Sequence, residues 1–133
     1  MNSFEGKIKQ VGSHGSLSIV SVEMALGHRL QSIIIDTPES VPYLKENQTV
    51  RVLFKETEII LATEPETQLS VLNRFAATIE EIDEGRLLSR IELQTEMGFC
   101  VAIVPSESLA QLHLKKGRTV YAFVKINDVL LAP

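Results

Sequence analysis

Lysine and hydroxyl side chains at repeated places are the residues of this sequence with the clearest potential for chemistry. Lys55 and Lys125 each end an apolar segment. Thr37 to Ser40 and Pro105 to Ser108 each begin a predicted short helix, and Ser70 precedes a predicted strand. Taken singly, such lysines are usually solvated and such hydroxyls usually cap helices. Together with the free N–H groups at a helix start, they form a donor set suited to an oxyanion.

Enzymatic constellations are scarce in the sequence. The histidines His14, His28 and His113 lie in or beside predicted turns or at a helix end, with no second metal ligand nearby in sequence. Cys100, the single cysteine, lies in an alternating apolar segment and is expected to be a small buried hydrophobe. Nucleophile-elbow, Walker and dinucleotide-binding patterns are absent. The sequence therefore predicts a binding protein and not an enzyme.

Composition narrows the choice of partners. The chain has 133 residues, of which 44% are hydrophobic and 23% charged, so it can build a core. Its net charge of −4, without a basic run, argues against nucleic acid. The N-terminal residues do not resemble a signal peptide, and no apolar run approaches the roughly 20 residues that span a bilayer. We expect a cytoplasmic protein without membrane insertion.

The two halves of the chain repeat each other. Phe4 recurs as Phe75, and Leu17-Ser18 recurs as Leu88-Ser89, both 71 positions later. After one deletion the offset is 70, and Lys55 then matches Lys125 while Leu61-Ala62 matches Leu131-Ala132. The polar segment 63–68 reads as a linker. We therefore expect two domains, 1–65 and 66–133, each too small to bury a large core alone.

Each copy is predicted to be rich in β-strands. Largely alternating apolar residues over 17–24 and 30–35 indicate two strands, with a turn at Gly27-His28. Two short closing strands follow at 50–54 and 59–61, and 120–124 and 129–131 repeat them. One short helix is expected in each copy, at 38–44 and 106–112, the first capped by Thr37. The predicted fold is all-β, with two tandem small OB-like β-barrels and one short helix in each.

Three segments carry a resemblance to a known family. Val52 to Ala62 (VLFKETEIILA) and Val124 to Ala132 (VKINDVLLA) resemble the closing motif of TOBE/Mop domains, and Ser70 to Phe75 (SVLNRF) resembles their opening Ser-Ala-Arg-Asn motif. The chain is similar to tandem (di-Mop) molybdate-binding proteins over nearly its whole length. Position by position, the resemblance implies oxyanion ligands at Ser70, Ser108 and Lys125. It implies an equivalent set at Thr37, Ser40 and Lys55.

The resemblance implies a molybdate or tungstate site between barrels of neighbouring subunits, hence a homo-oligomer, a dimer or trimer. Two departures from the motif stand out: Leu72 replaces the opening arginine, and Pro105 replaces a helix-start threonine. A leucine cannot supply the donor fork of an arginine. The expected function is intracellular binding of the oxyanion for storage, buffering or delivery. The alternatives are a ligand-sensing regulatory module for a transporter or transcription factor, and an assembly scaffold that has lost the ligand.

Overall fold

The computed structural model describes all residues from Met1 to Pro133 and is mostly β-sheet. One α-helix and three short 3-10 turns accompany ten strands, and the turns are Ala25–Gly27, Glu56–Glu58 and Ile126–Asp128. The helix and strands are β1 (Asn2–His14), β2 (Leu17–Glu23), β3 (Arg29–Ile34), β4 (Thr49–Phe54), β5 (Ile60–Ala62), β6 (Asn73–Asp83), β7 (Leu88–Thr95), β8 (Gly98–Pro105), α1 (Glu107–Gln111), β9 (Thr119–Val124) and β10 (Leu130–Ala132).

Two five-stranded antiparallel sheets carry the repeat. Their strand orders are β10-β4-β1-β2-β3 and β5-β9-β6-β7-β8. The closing strands are exchanged: β5 of the first copy pairs with β9 of the second, and β10 of the second pairs with β4 of the first. The expected pairing of each closing strand inside its own copy is therefore wrong. The domain limits 1–65 and 66–133 remain a prediction about the repeat, and the sheets are not confined to them.

The repeat extends to details of the backbone. Both long first strands change register at the same place, between Ile8 and Gln10 in β1 and between Ile79 and Glu81 in β6. Asn47 and Gly117 have positive φ in equivalent turns. Their N–H groups donate to the carbonyls of Ile8 and Ile79, each at 2.7 Å. The two lobes are thus copies of one local structure.

Neither sheet closes into a barrel by strand pairing, contrary to the expected closed barrels. In the first sheet, β10 and β3 are opposite edges without a ladder between them. The Ile126–Asp128 turn packs on β3 in that gap, and Ser32 Oγ donates to the carbonyl of Val129 at 2.6 Å.

The helix predicted over 38–44 is also wrong. That segment forms hydrogen-bonded turns, whereas the equivalent segment of the second copy contains α1. Pro42 explains the difference, since it has no N–H for an i to i−4 bond and disfavours helical backbone at Val41. The second copy has Leu112 at that place, and its N–H donates to the Ser108 carbonyl at 3.0 Å.

One hydrophobic core of 26 buried residues runs through both lobes. At its centre three rings meet: Phe4 lies 5.7 Å from Phe54 and 6.3 Å from Phe75, in edge-to-face geometry. Two asparagines bridge the lobes beside the rings. Asn2 pairs with the backbone N–H and carbonyl of Val101, and Asn73 pairs in the same way with Gln31. The shared core and exchanged strands join the two copies into one folding unit.

Candidate functional site

Lys55 and Lys125 occupy the same conformation in the two copies. Each precedes a 3-10 turn, with φ −77° and ψ 150° at Lys55 and φ −66° and ψ 147° at Lys125. The chain leaves a buried strand, β4 or β9, at these residues and turns, so both side chains are exposed. Neither ammonium makes an ion pair or a hydrogen bond within the chain. The structure thus offers two equivalent free cations.

Carboxylates differ between the two closing turns. Glu58 Oε1 accepts the backbone N–H of Lys55 at 2.9 Å and so caps the first turn. Glu56 accepts a hydrogen bond from the N-terminal ammonium at 2.8 Å, which is the main cause that holds the pKa of this carboxyl below its usual value. Asp128 is the only acid in the second turn. The surroundings of Lys125 are therefore less acidic than those of Lys55.

Thr37 and Ser40 are brought together by a local turn. The Thr37 N–H donates to Ser40 Oγ at 2.9 Å, and the two hydroxyl oxygens lie 3.4 Å apart. Ser40 is exposed and Thr37 half-buried. Asp36 stands beside this turn, and its charge is the second cause, after burial, that raises the pKa of Tyr43. The two hydroxyls lie together and cap a turn, whereas a helix cap was expected of Thr37.

Ser108 lies on α1, next to the closing segment of the other copy. It lines a cavity of about 230 Å³ together with Thr57, Ile59 and Leu61 from the first copy. Most of the other lining residues are apolar. Because of the strand exchange, Ser108 lies near the segment that begins at Lys55, and the other closing turn packs on β3. Sequence reasoning had paired Ser108 with Lys125.

Ser70 is exposed in the linker between the copies, just before β6. The linker is held by Arg74, whose guanidinium donates to the carbonyls of Thr67, Leu69 and Val71. Leu72 is 70% exposed, so the residue that replaces the motif arginine points into solvent. No hydrogen bond joins Ser70 to Ser108 or Lys125 within the chain.

Three residues with structural roles near these donors were missed by sequence reasoning: Asn2, Asn73 and Arg74. The asparagines carried a usable signal, because they stand 71 positions apart, at the offset of the repeat. Their partners Gln31 and Val101 are also equivalent. Arg74 carried no such signal, since Ser3 occupies its place in the first copy.

The chain offers little for other kinds of site. No group of three or more histidine, cysteine or acidic side chains is arranged to hold a metal ion. Cys100 is buried, and burial raises the pKa of its thiol to about 12. None of the helices combines the length and the apolar character needed to cross a membrane.

These features define a class: a two-lobed, pseudo-symmetric β protein whose lobes share strands and which repeats donor side chains on its surface. Residues 69–131 match the TOBE domain family. This match covers the second copy of the repeat.

The chain is also similar to two known proteins. The chain is 25% identical over 132 residues to the molybdenum transport protein ModE of Azotobacter vinelandii. That match covers 98% of this chain and 49% of the relative, so the chain spans about half of the relative's length. The fold is similar to that of the cytoplasmic molybdate-binding protein ModG, solved with molybdate bound, with a TM-score of 0.90 and 23% identity. This match covers 98% of this chain and 94% of that one.

Proposed function

We propose that this protein binds molybdate or tungstate in the cytoplasm, for storage, buffering or delivery, and acts as a binding protein without catalysis. The observation that carries the proposal is the recurrence of one exposed ammonium, free of any carboxylate partner, at Lys55 and Lys125. The match of residues 69–131 to the TOBE domain family and the likeness of the fold to that of a molybdate-binding protein support it. We also propose that each lobe is OB-like.

The chemistry of the donors fits such a ligand. Molybdate at neutral pH is a tetrahedral dianion whose oxygens only accept hydrogen bonds. The proposed ligands are an ammonium and hydroxyls, which donate: Lys125, Ser70 and Ser108 in one kind of site, and Lys55, Thr37 and Ser40 in the other. A free ammonium on the surface is ready to bind an anion, because it does not first have to leave a carboxylate.

We place each complete site between subunits of a homo-oligomer, a dimer or trimer. Within one chain Thr37 and Ser40 lie together, but no hydrogen bond joins the lysine of either set to the hydroxyls of that set. Equivalent apolar side chains are also exposed in both lobes, with Leu17 at 45% and Leu88 at 57%, and Ile60 at 49% and Leu130 at 54%. Such repeated patches favour self-association with closed symmetry. Light scattering at micromolar concentration that finds only monomers contradicts this part.

The test of binding is isothermal titration with molybdate, tungstate and sulfate. We expect heat with the first two and little with the smaller sulfate. K125A and K55A should each weaken one class of site, because each removes the one full positive charge of that class. K45A and K115A are matched controls, since these lysines are also exposed and stand 70 positions apart, away from the closing turns. An equal loss of affinity in K45A and K115A overturns the proposal. So does the absence of heat when wild-type protein is titrated with molybdate and tungstate.

A regulatory role is the second candidate. The observation that favours it is the match to about half of the length of a molybdenum transport protein. In that case the chain senses the oxyanion and passes the signal to a transporter or transcription factor. Affinity capture from cell extract, with and without molybdate, separates the two roles. A partner retained only in one ligand state supports sensing, and its absence in both supports storage or delivery.

A further inference from the structure

The side chain of Arg74 holds the linker between the two copies through hydrogen bonds to the backbone carbonyls of the linker. Nη1 donates to the carbonyl of Thr67 at 2.9 Å, and Nη2 donates to those of Leu69 at 3.0 Å and Val71 at 2.8 Å. Nε also donates to Val71, at 3.1 Å. The guanidinium carbon lies 4.8 Å from the centroid of the Phe123 ring, on which it is supported. Four of the five N–H groups are thus committed to the linker and the plane of the fork is fixed.

The lobe itself does not require this contact. In the first copy Ser3 stands at the place of Arg74, and β1 starts and pairs with β4 as β6 does with β9. The role of Arg74 therefore concerns the segment 67–71, which includes Ser70, and not the formation of the sheet.

The contact changes which polar groups the linker can offer. The carbonyls of residues 67, 69 and 71 are occupied by the guanidinium, whereas the N–H groups of residues 68–72 make no backbone hydrogen bond. Carbonyl oxygens repel an oxyanion and N–H groups attract it. With three of its carbonyls occupied and its N–H groups free of backbone partners, the segment is suited to an anion, and the hydroxyl of Ser70 stands in its middle.

We propose that Arg74 is a positioning residue for the Ser70 side of the oxyanion site: it fixes the linker so that Ser70 and its neighbouring N–H groups are presented together. This inference rests on the proposed function. The guanidinium acts through the linker and not as a ligand, because four of its five N–H groups are directed at the linker carbonyls. A fixed segment loses less conformational freedom on binding than a loose one, so the gain appears as affinity.

The first measurement concerns the linker alone and needs no ligand. The R74K variant keeps the positive charge, but lysine lacks the planar fork with which arginine reaches three carbonyls. We expect cleavage after Glu66 by a glutamate-specific protease, followed by the mass of the fragment 67–133, to be roughly tenfold faster in R74K. R90K is the matched control, because Arg90 is exposed and pairs only with the side chain of Glu92. An unchanged rate in R74K overturns the positioning role.

The second measurement is titration with sodium molybdate. We expect R74K and S70A each to weaken the same class of site by roughly tenfold, and the double variant to lose less binding free energy than the two single losses added together. The class of site that contains Lys55 should keep its affinity. If the variants simply failed to fold, both classes of site would lose affinity. R74Q, which lacks charge and fork, should lose at least as much as R74K.

The outcomes separate the two proposals. If wild-type protein binds molybdate and R74K binds it equally well, positioning by Arg74 is refuted while the oxyanion function stands. Losses that add in the double variant also refute positioning, since the two residues then act independently. If the wild-type protein takes up no molybdate, the function itself fails, whatever the protease shows about the linker.

Discussion

Replacing Asn73 with alanine tests whether the side-chain bridge between the lobes stabilises the fold. The Asn73 carboxamide is 1% exposed, accepts the Gln31 N–H at 2.7 Å and donates to the Gln31 carbonyl at 2.8 Å. A hydrogen bond contributes about 1 kcal/mol net, and a buried group left without a partner costs about 1–3 kcal/mol. Because Gln31 is only half-buried, water can replace part of the loss. We expect N73A to lower the free energy of unfolding by about 2 kcal/mol.

Urea unfolding at one fixed protein concentration measures this loss, since self-association makes stability depend on concentration. N2A should lose a similar amount, because Asn2 makes the equivalent pair of bonds to Val101 at 2.8 and 2.9 Å. N127A is the control: Asn127 is exposed and should change stability by less than about 0.5 kcal/mol. If N73A also stays within about 0.5 kcal/mol of wild type, the bridge adds nothing and the reasoning is refuted.

Three further predictions concern the thiol, the exchanged strand and the helix. Burial raises the pKa of the Cys100 thiol to about 12, so as pH rises through 9 the thiol ionises in the unfolded chain and stays neutral in the folded one. Between pH 8 and 10 the free energy of unfolding of wild type should therefore fall by about 1.4 kcal/mol more than that of C100A, as measured by urea unfolding. An equal fall in both proteins contradicts this. Deleting residues 129–133 removes β10, so faster hydrogen exchange is expected in its partner β4 and not in β9; the reverse result argues against strand exchange. L112P removes the hydrogen bond to the Ser108 carbonyl and should unfold α1 at a cost of about 3 kcal/mol, read by urea unfolding, whereas L112A should cost less.

The strands were the part of the fold that sequence patterns predicted well. Alternation placed β2 over Leu17–Glu23 and β9 over Thr119–Val124 to within a residue or two of the predicted bounds. This works because period-two burial is a local property of a strand packed on one face. The helix over 38–44 failed for an equally local reason, Pro42, which the pattern of apolar residues did not weigh.

The candidate site was predictable only in part. The repeat identified Lys55 and Lys125, and the structure places both in one conformation, exposed and unpaired. The pairing of Ser108 with Lys125 did not follow, because strand exchange carries each closing turn to the sheet of the other copy. Whether the six proposed ligands bind an oxyanion remains a prediction for titration to decide.

The sequence by itself determined that the chain is a duplicated β-rich unit with matching closing lysines, because repetition and alternation are written in residue types along the chain. Only the tertiary structure decided where the closing strands pair, how three phenylalanine rings meet between the lobes and that Arg74 holds the linker. The physical reason is the repeat itself: β4 and β9 present nearly equivalent edges, so local pattern cannot tell which edge β5 or β10 joins. That choice depends on the path of the chain through the turns at 56–58 and 126–128 and on the core that forms around them.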